Sequence, residues 1–182
     1  GEVLPKCIVL EGTPEEVGRE FAKLNGDKIK ADFERFTKEH PDLLETGKRY
    51  VEVTEALAPH WLAEARAVAK EIGVDPTLYG IYLGAKYRGV NSQHECISYA
   101  ARATATRKGR PLLHKLRQNR YRLQGAYFKK VVVEGKDLHK FFRVGDVHGL
   151  DPCMFVNETG LASCHVQCGR DPHPRRKGWM TH

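Results

Sequence analysis

No stretch of this chain is apolar over the roughly 20 residues that a membrane-spanning helix takes. Its start lacks the basic residues followed by an apolar block that mark a secretory leader. Neither a span nor a membrane partner is therefore expected. Acid is in short supply: 23 Asp and Glu stand against 30 Lys and Arg, a formal net charge of +7. Much of the excess falls in two stretches, Arg102, Arg107, Lys108, Arg110, Lys115, Arg117, Arg120 and Arg122, then Arg170, Arg175, Arg176 and Lys177. Aromatic residues are sparse and are not interleaved through either stretch, as a base-stacking platform requires. A basic nucleic-acid-binding module is thus the weaker reading. Solvated surface with attraction for an anionic small molecule is the stronger.

The five cysteines, Cys7, Cys96, Cys153, Cys164 and Cys168, are odd in number and have no short repeating spacing. They do not form a disulfide framework, and reduced thiols in a cytoplasmic protein are expected. Cys164, His165, Cys168 and His173 have the chemistry of zinc ligands, but only one pair is tightly spaced. A strand over Leu161 to Val166 would turn Cys164 and His165 to opposite sides. No metal and no cofactor is expected. Neither an internal repeat nor a low-complexity linker is present, and 41% apolar with 29% charged residues is ordinary for one domain with a proper core.

The first half reads as helix. After a short strand at Lys6 to Leu10, Thr13, Pro14 and Glu16 form a capping box. Val17, Phe21, Leu24, Ile29, Phe33 and Phe36 then recur at near-helical spacing until Pro41. Further helices are predicted over Asp42 to Leu57, from Pro59 to a C-terminal cap at Gly73, and after Asp75-Pro76. From Cys96 the period changes to alternation. Strands are predicted over Ile97 to Ala105, Pro111 to His114, Tyr127 to Val133, Lys140 to Val144, Cys153 to Val156 and Leu161 to Val166, with turns between. Residues 1–95 form a mostly helical part and 96–182 a β-rich part. The fold class is α+β, with antiparallel hairpins whose strand beginning at Cys96 belongs to a sheet that the helices cover.

Four segments occur in one order: Gly12-Thr13-Pro14-Glu15-Glu16-Val17-Gly18, the helix from Pro59 through Gly73 to Asp75, Cys96-Ile97-Ser98, and Asn157-Glu158-Thr159-Gly160-Leu161-Ala162. Together they resemble the acyl-CoA:6-aminopenicillanate acyltransferase-like family, which are N-terminal-nucleophile hydrolases. The resemblance implies a four-layer αββα sandwich, of which this chain supplies the helical layer and the first sheet. It implies a remaining C-terminal half, as a second chain or a missing segment. It also implies autocatalytic cleavage at Glu95-Cys96. The new N-terminal residue then carries both nucleophile and base, because an α-amine with a pKa of about 7.7–8.0 can take the thiol proton. The implied chemistry is hydrolysis or transfer of acyl groups at linear amide bonds, with an acyl donor such as acyl-CoA and an amine or water as acceptor.

The same resemblance names partners for Cys96. Aligned without a gap, Arg117 matches the arginine that lies over the family's site, and Gln118 stands where an aspartate holds the amine. Sliding the alignment to Gln118-Asn119-Arg120-Tyr121 puts Tyr121 at that position, so the acid is missing either way. Glu95 replaces a small residue before the nucleophile. His94, two residues before Cys96, is not taken as its base, because the resemblance gives that role to the new α-amine. Asn157 is open to two readings, an oxyanion donor or a turn residue tolerant of left-handed backbone. An uncleaved or non-catalytic relative that keeps Cys96 is the alternative function.

Overall fold

The computed structural model describes residues 7–86, 96–117, 124–147, 149–150 and 154–164. Strand β1, Ile8–Gly12, leads into helix α1, Pro14–Glu39. The predicted capping box closes that helix start: Thr13 Oγ1 accepts from the Glu16 amide at 3.2 Å and Glu16 Oε2 accepts from the Thr13 amide at 2.8 Å. A single 3₁₀ turn at Pro41–Leu43 is followed by α2, Leu44–Leu57, α3, Pro59–Glu71, and α4, Pro76–Ala85. Gly73 ends α3 at φ 71°, where a residue with a Cβ would be strained. Asp75 caps α4 by accepting from the Leu78 amide at 2.7 Å.

The strands that follow are β2, Cys96–Ala101, β3, Leu112–Arg117, β4, Gln124–Val131, β5, Phe141–Asp146, β6, Met154–Asn157, and β7, Ala162–Cys164. Among the described residues they form two ladders: a five-stranded sheet in the order β1-β4-β5-β6-β7, and the separate β2/β3 hairpin. One face of the larger sheet packs on the helices. Leu10 and Tyr127 join Phe21, Ile29, Phe33, Val68, Tyr79 and Tyr82 in the core. The class is α+β, as the sequence implies.

Two features of the strand pattern correct the sequence reading. The ladder is not antiparallel throughout, because β1 runs parallel to β4, with Ile8 opposite Tyr127. The helical layer intervenes between these strands and provides the long crossover that a parallel pair needs. The strand of Cys96 does not lie in the helix-covered sheet. Among the described residues it pairs only with β3, and the hairpin touches the larger sheet where β3 meets β7. Its first strand also stops at Ala101 instead of reaching Ala105. Residues Ala103–Ala105 form a 3₁₀ turn instead. The Thr106 hydroxyl then accepts from the Arg110 amide at 3.0 Å and closes the loop. As β1 is an edge strand of a sheet otherwise built after Cys96, the boundary at 95/96 divides composition, while packing joins the two parts.

Glycines set how closely the helices approach. A Cβ on Gly18 would run into the backbone carbonyl of Glu64, where α1 crosses α3. One on Gly47 would fall inside the Ile81 carbonyl, and one on Gly84 would strike Tyr50, where α2 crosses α4. Neither carbonyl can move without its helix, so Gly47→Ala should destabilise by about 1–3 kcal/mol through overpacking. A Cβ on Gly26 would meet only the Ile72 side chain, at 3.2 Å. Gly26→Ala should therefore be near neutral or gain up to about 1 kcal/mol of helix propensity. Urea unfolding of the two variants checks the contrast.

Candidate functional site

Cys96 is the first residue of β2 and pairs in register with Arg117, the last residue of β3. Directly opposed residues of an antiparallel ladder share one face. The structure thus brings together two of the four residues named from sequence. The next pair on that face is Ser98 with Lys115. The Ser98 hydroxyl is shielded from solvent and, among the described residues, has no hydrogen-bond partner. The other face pairs Ile97 with Leu116, Tyr99 with His114 and Ala101 with Leu112. It is apolar and open: Ile97 is 55% exposed, and Tyr99 stacks on His114 with ring centroids 4.7 Å apart.

Gln118, Asn119, Arg120 and Tyr121 lie outside the described residues, as do His94, Glu95, Cys153, His165, Cys168 and His173. Asn157 ends β6, a strand away from the one that meets the hairpin. Its amide oxygen belongs to its own turn: it accepts from the Thr159 amide at 3.1 Å, the Thr159 hydroxyl at 2.8 Å and the Leu161 amide at 2.8 Å. The left-handed residue of that turn is Gly160, at φ 88°. Of the two sequence readings, the turn role engages the oxygen and leaves only Nδ2 for an oxyanion.

A second polar cluster lies under the helices and was not found from sequence. Lys129 of β4 donates to both carboxylate oxygens of Glu64 of α3 at 2.5 Å, and both side chains are buried. Burial holds the Lys129 ammonium below its ordinary pKa, with the Glu64 charge opposing and Arg143 adding to the depression. Arg143 of β5 is buried with its guanidinium carbon 4.7 Å from the Tyr127 ring centroid and 5.2 Å from that of Phe21. It donates to the Leu150 carbonyl at 2.7 Å. Asn25 of α1 donates to the Tyr127 hydroxyl at 3.2 Å. A third cluster joins α1 to the end of α4, where Asp32 accepts from Tyr82 and from Lys86, each at 2.6 Å. These groups fix helices to sheet and helix to helix.

Neither a protein-family model nor a curated protein matches this chain.

Two predictions separate structural from chemical roles. Glu64→Gln leaves Lys129 buried beside a neutral amide and should cost about 3–5 kcal/mol at neutral pH, whereas Glu64→Leu with Lys129→Met should be far milder. Without Glu64 the folded-state pKa of Lys129 falls further, while the unfolded chain holds the proton up to the ordinary value. Between those two pKa values the unfolded state binds more protons, so the Glu64→Gln deficit should shrink as pH rises towards the lysine range. Denaturant titrations at several pH values measure it. At the turn, Asn157→Ala removes three accepted hydrogen bonds and should cost about 1–2 kcal/mol. Asn157→Asp keeps the acceptor and should cost less, so a loss of activity in Asn157→Asp at unchanged stability would mark Nδ2 as a functional donor.

Proposed function

We propose that this chain is a cysteine N-terminal-nucleophile amidohydrolase or acyltransferase, with Cys96 as the nucleophile, matured by cleavage at Glu95-Cys96. The observation that carries the reading is positional. Cys96 opens a strand directly after the helical layer, opposite Arg117, within four segments that follow the family's order. The outer face of the larger sheet offers further support for a sandwich. It carries Val9, Phe128, Phe142, Val144, Met154 and Val156, with Val9 63% exposed, beside the exposed Glu11–Lys130 ion pair. The apolar part of this face suits a second sheet packed about 10 Å away.

In the proposed maturation the Cys96 sulfur adds to the Glu95 carbonyl carbon. The peptide C–N bond breaks, and the nitrogen takes the thiol proton to become a free amine. Water then opens the resulting thioester, releasing a Glu95 carboxylate and the Cys96 thiol. In turnover the amine accepts the thiol proton and the thiolate attacks the acyl carbonyl. The leaving amine or thiol departs with that proton, and water or an acceptor amine releases the acyl group from Cys96. Arg117, opposed to Cys96, would favour the thiolate.

A non-catalytic relative is the second reading, and a specific observation favours it: neither Gln118 nor Tyr121 is the acid that would hold the ammonium. Intact-mass measurement of the purified chain should show two pieces divided at Glu95-Cys96. Cys96→Ala should leave one piece and Cys96→Ser should cleave slowly. Cleavage that persists in Cys96→Ala would assign the cut to an outside protease. With the C-terminal half present, Gln118→Asp should raise acyl release above the parent. Parent activity equal to that of Cys96→Ala, with no gain from Gln118→Asp or Tyr121→Asp, would settle the matter for the non-catalytic relative.

A further inference from the structure

Charge is divided between the two parts of the chain. Residues 1–95 carry 13 Lys and Arg against 17 Asp and Glu, whereas residues 96–182 carry 17 against 6. The excess surfaces where β2 turns into β3. Arg102, Arg107, Lys108 and Arg110 stand in that loop, all exposed, and among the described residues none of their side chains is in a hydrogen bond or ion pair. The loop backbone is held by its own contacts. Residues Ala103–Ala105 form a 3₁₀ turn, and the Thr106 hydroxyl accepts from the Arg110 amide and donates to the Arg110 carbonyl at 2.6 Å. No aspartate or glutamate occurs between positions 96 and 117, so the hairpin supplies no anion to these cations. Beside the loop the fold builds what the order of residues conceals. Aromatic residues are not interleaved through the basic stretch, yet the ladder lays Tyr99 of β2 on His114 of β3, with ring centroids 4.7 Å apart and planes inclined by 24°. Tyr99 is 51% exposed. The ring pair shares its face with Ala101 and Leu112, the last ladder pair before the loop, and lies about 7 Å from that pair along the strands.

We propose that this end of the hairpin binds single-stranded nucleic acid, the loop cations holding phosphates and the Tyr99–His114 pair carrying a base. This is a binding function separate from the acyl chemistry, and it uses none of the residues named for that chemistry. Four exposed cations without an acid among them make a footprint for a polyanion. Three of the four are arginines, whose planar fork grips phosphate oxygens in pairs and stacks on bases. An exposed ring pair next to such a loop is the platform that unpaired bases stack on, whatever their sequence, whereas the bases of a duplex already stack on one another. Exposed Ile97, Leu112 and Leu116 surround the rings on the same face and extend the flat apolar area that a base can cover. An acidic peptide would meet the charge and leave the ring face unused. A bilayer is a poorer match, because residues 102–111 hold no large apolar side chain to enter it. The chain does not supply the polyanion itself: residues 165–182 carry Arg170, Arg175, Arg176 and Lys177 against Asp171 alone.

The test is fluorescence anisotropy of the full chain with labelled oligo-U, oligo-dT and a DNA duplex, each of about 12 nucleotides per strand. It requires no turnover, so its outcome is independent of the acyl reading. Four phosphate contacts give a slope of log affinity against log salt of about −3 for a single strand, so affinity should fall about fifty-fold between about 50 and 200 mM salt. Arg107→Gln with Arg110→Gln should halve the slope and leave only about a seven-fold fall over that range. Tyr99→Ala should weaken single-strand binding about ten-fold at unchanged slope, and Tyr99→Phe should restore it. The salt titration on the parent and the Tyr99→Phe variant decide the matter if Tyr99→Ala does not fold. The order of oligo-U and oligo-dT then names the sugar that the site takes. Absence of binding at the lower salt concentration would overturn the proposal. So would a duplex bound as tightly as a single strand with Tyr99→Ala equal to the parent, since no base would then be stacked. Polyglutamate displacing the oligonucleotide at equal charge would overturn it in favour of an acidic protein partner. Sedimentation with phosphatidylserine vesicles, without oligonucleotide binding, would overturn it in favour of a lipid surface.

Discussion

The contact between sheet and helices depends on two cations where a core expects hydrocarbon. Lys129 and Arg143 both turn from the sheet toward the helical layer and are buried there. Desolvating an isolated charge is prohibitive, so each requires a specific partner. Glu64 supplies one as a two-oxygen ion pair. Phe21 and Tyr127 supply the other as ring faces, with the Leu150 carbonyl accepting at one edge of the guanidinium. The arrangement also explains the glycine at position 18. Glu64 can meet Lys129 because α3 lies close against α1, and that approach has Gly18 under the Glu64 carbonyl. A backbone distance between helices thus supports a charge pair between helix and sheet.

The helical layer was legible because its signals are local. Thr13, Pro14 and Glu16 write a helix start within four positions, and Asp75-Pro76 and Gly73 write another start and a stop. Strand pairing was less legible, since direction is settled by where the chain goes between strands. Nothing within Ile8–Gly12 says that its neighbour will be β4 or that the two will run parallel. Buried Lys129 was missed for a related reason. In Tyr127-Phe128-Lys129-Lys130 the two lysines differ by one pleat step, and only the ladder assigns Tyr127 and Lys129 inward and Lys130 to solvent. Asn157 was visible as a turn residue and as a candidate donor alike. Which atom the turn uses is a matter of hydrogen-bond geometry that composition does not carry.

The hairpin is where local pattern and tertiary placement diverge most. Alternation from Cys96 predicted a strand correctly, but inclusion in the covered sheet depended on its inner face being apolar on the side of the helices. Ile97, Tyr99, Leu112 and Leu116 lie on one face and remain exposed, as do Val9, Phe142 and Val156 on the sheet's outer face. A single layer of helices covers one sheet face only. Among the described residues, no second layer packs on either open face.

The two ends of the segment before Cys96 are held by different means. At one end Lys86 follows α4 and is tied to part-buried Asp32, which also accepts from Tyr82. At the other end Cys96 enters a ladder with β3. Residues 87–95 join these anchors, whose own contacts do not involve the proposed scissile bond. Cutting Glu95-Cys96 would therefore leave α4 tied through Asp32 and β2 tied through β3. Maturation of this kind changes the chemistry of one residue and leaves the packing of the two layers as it was, which is what a self-cleaving nucleophile at the edge of a fold requires.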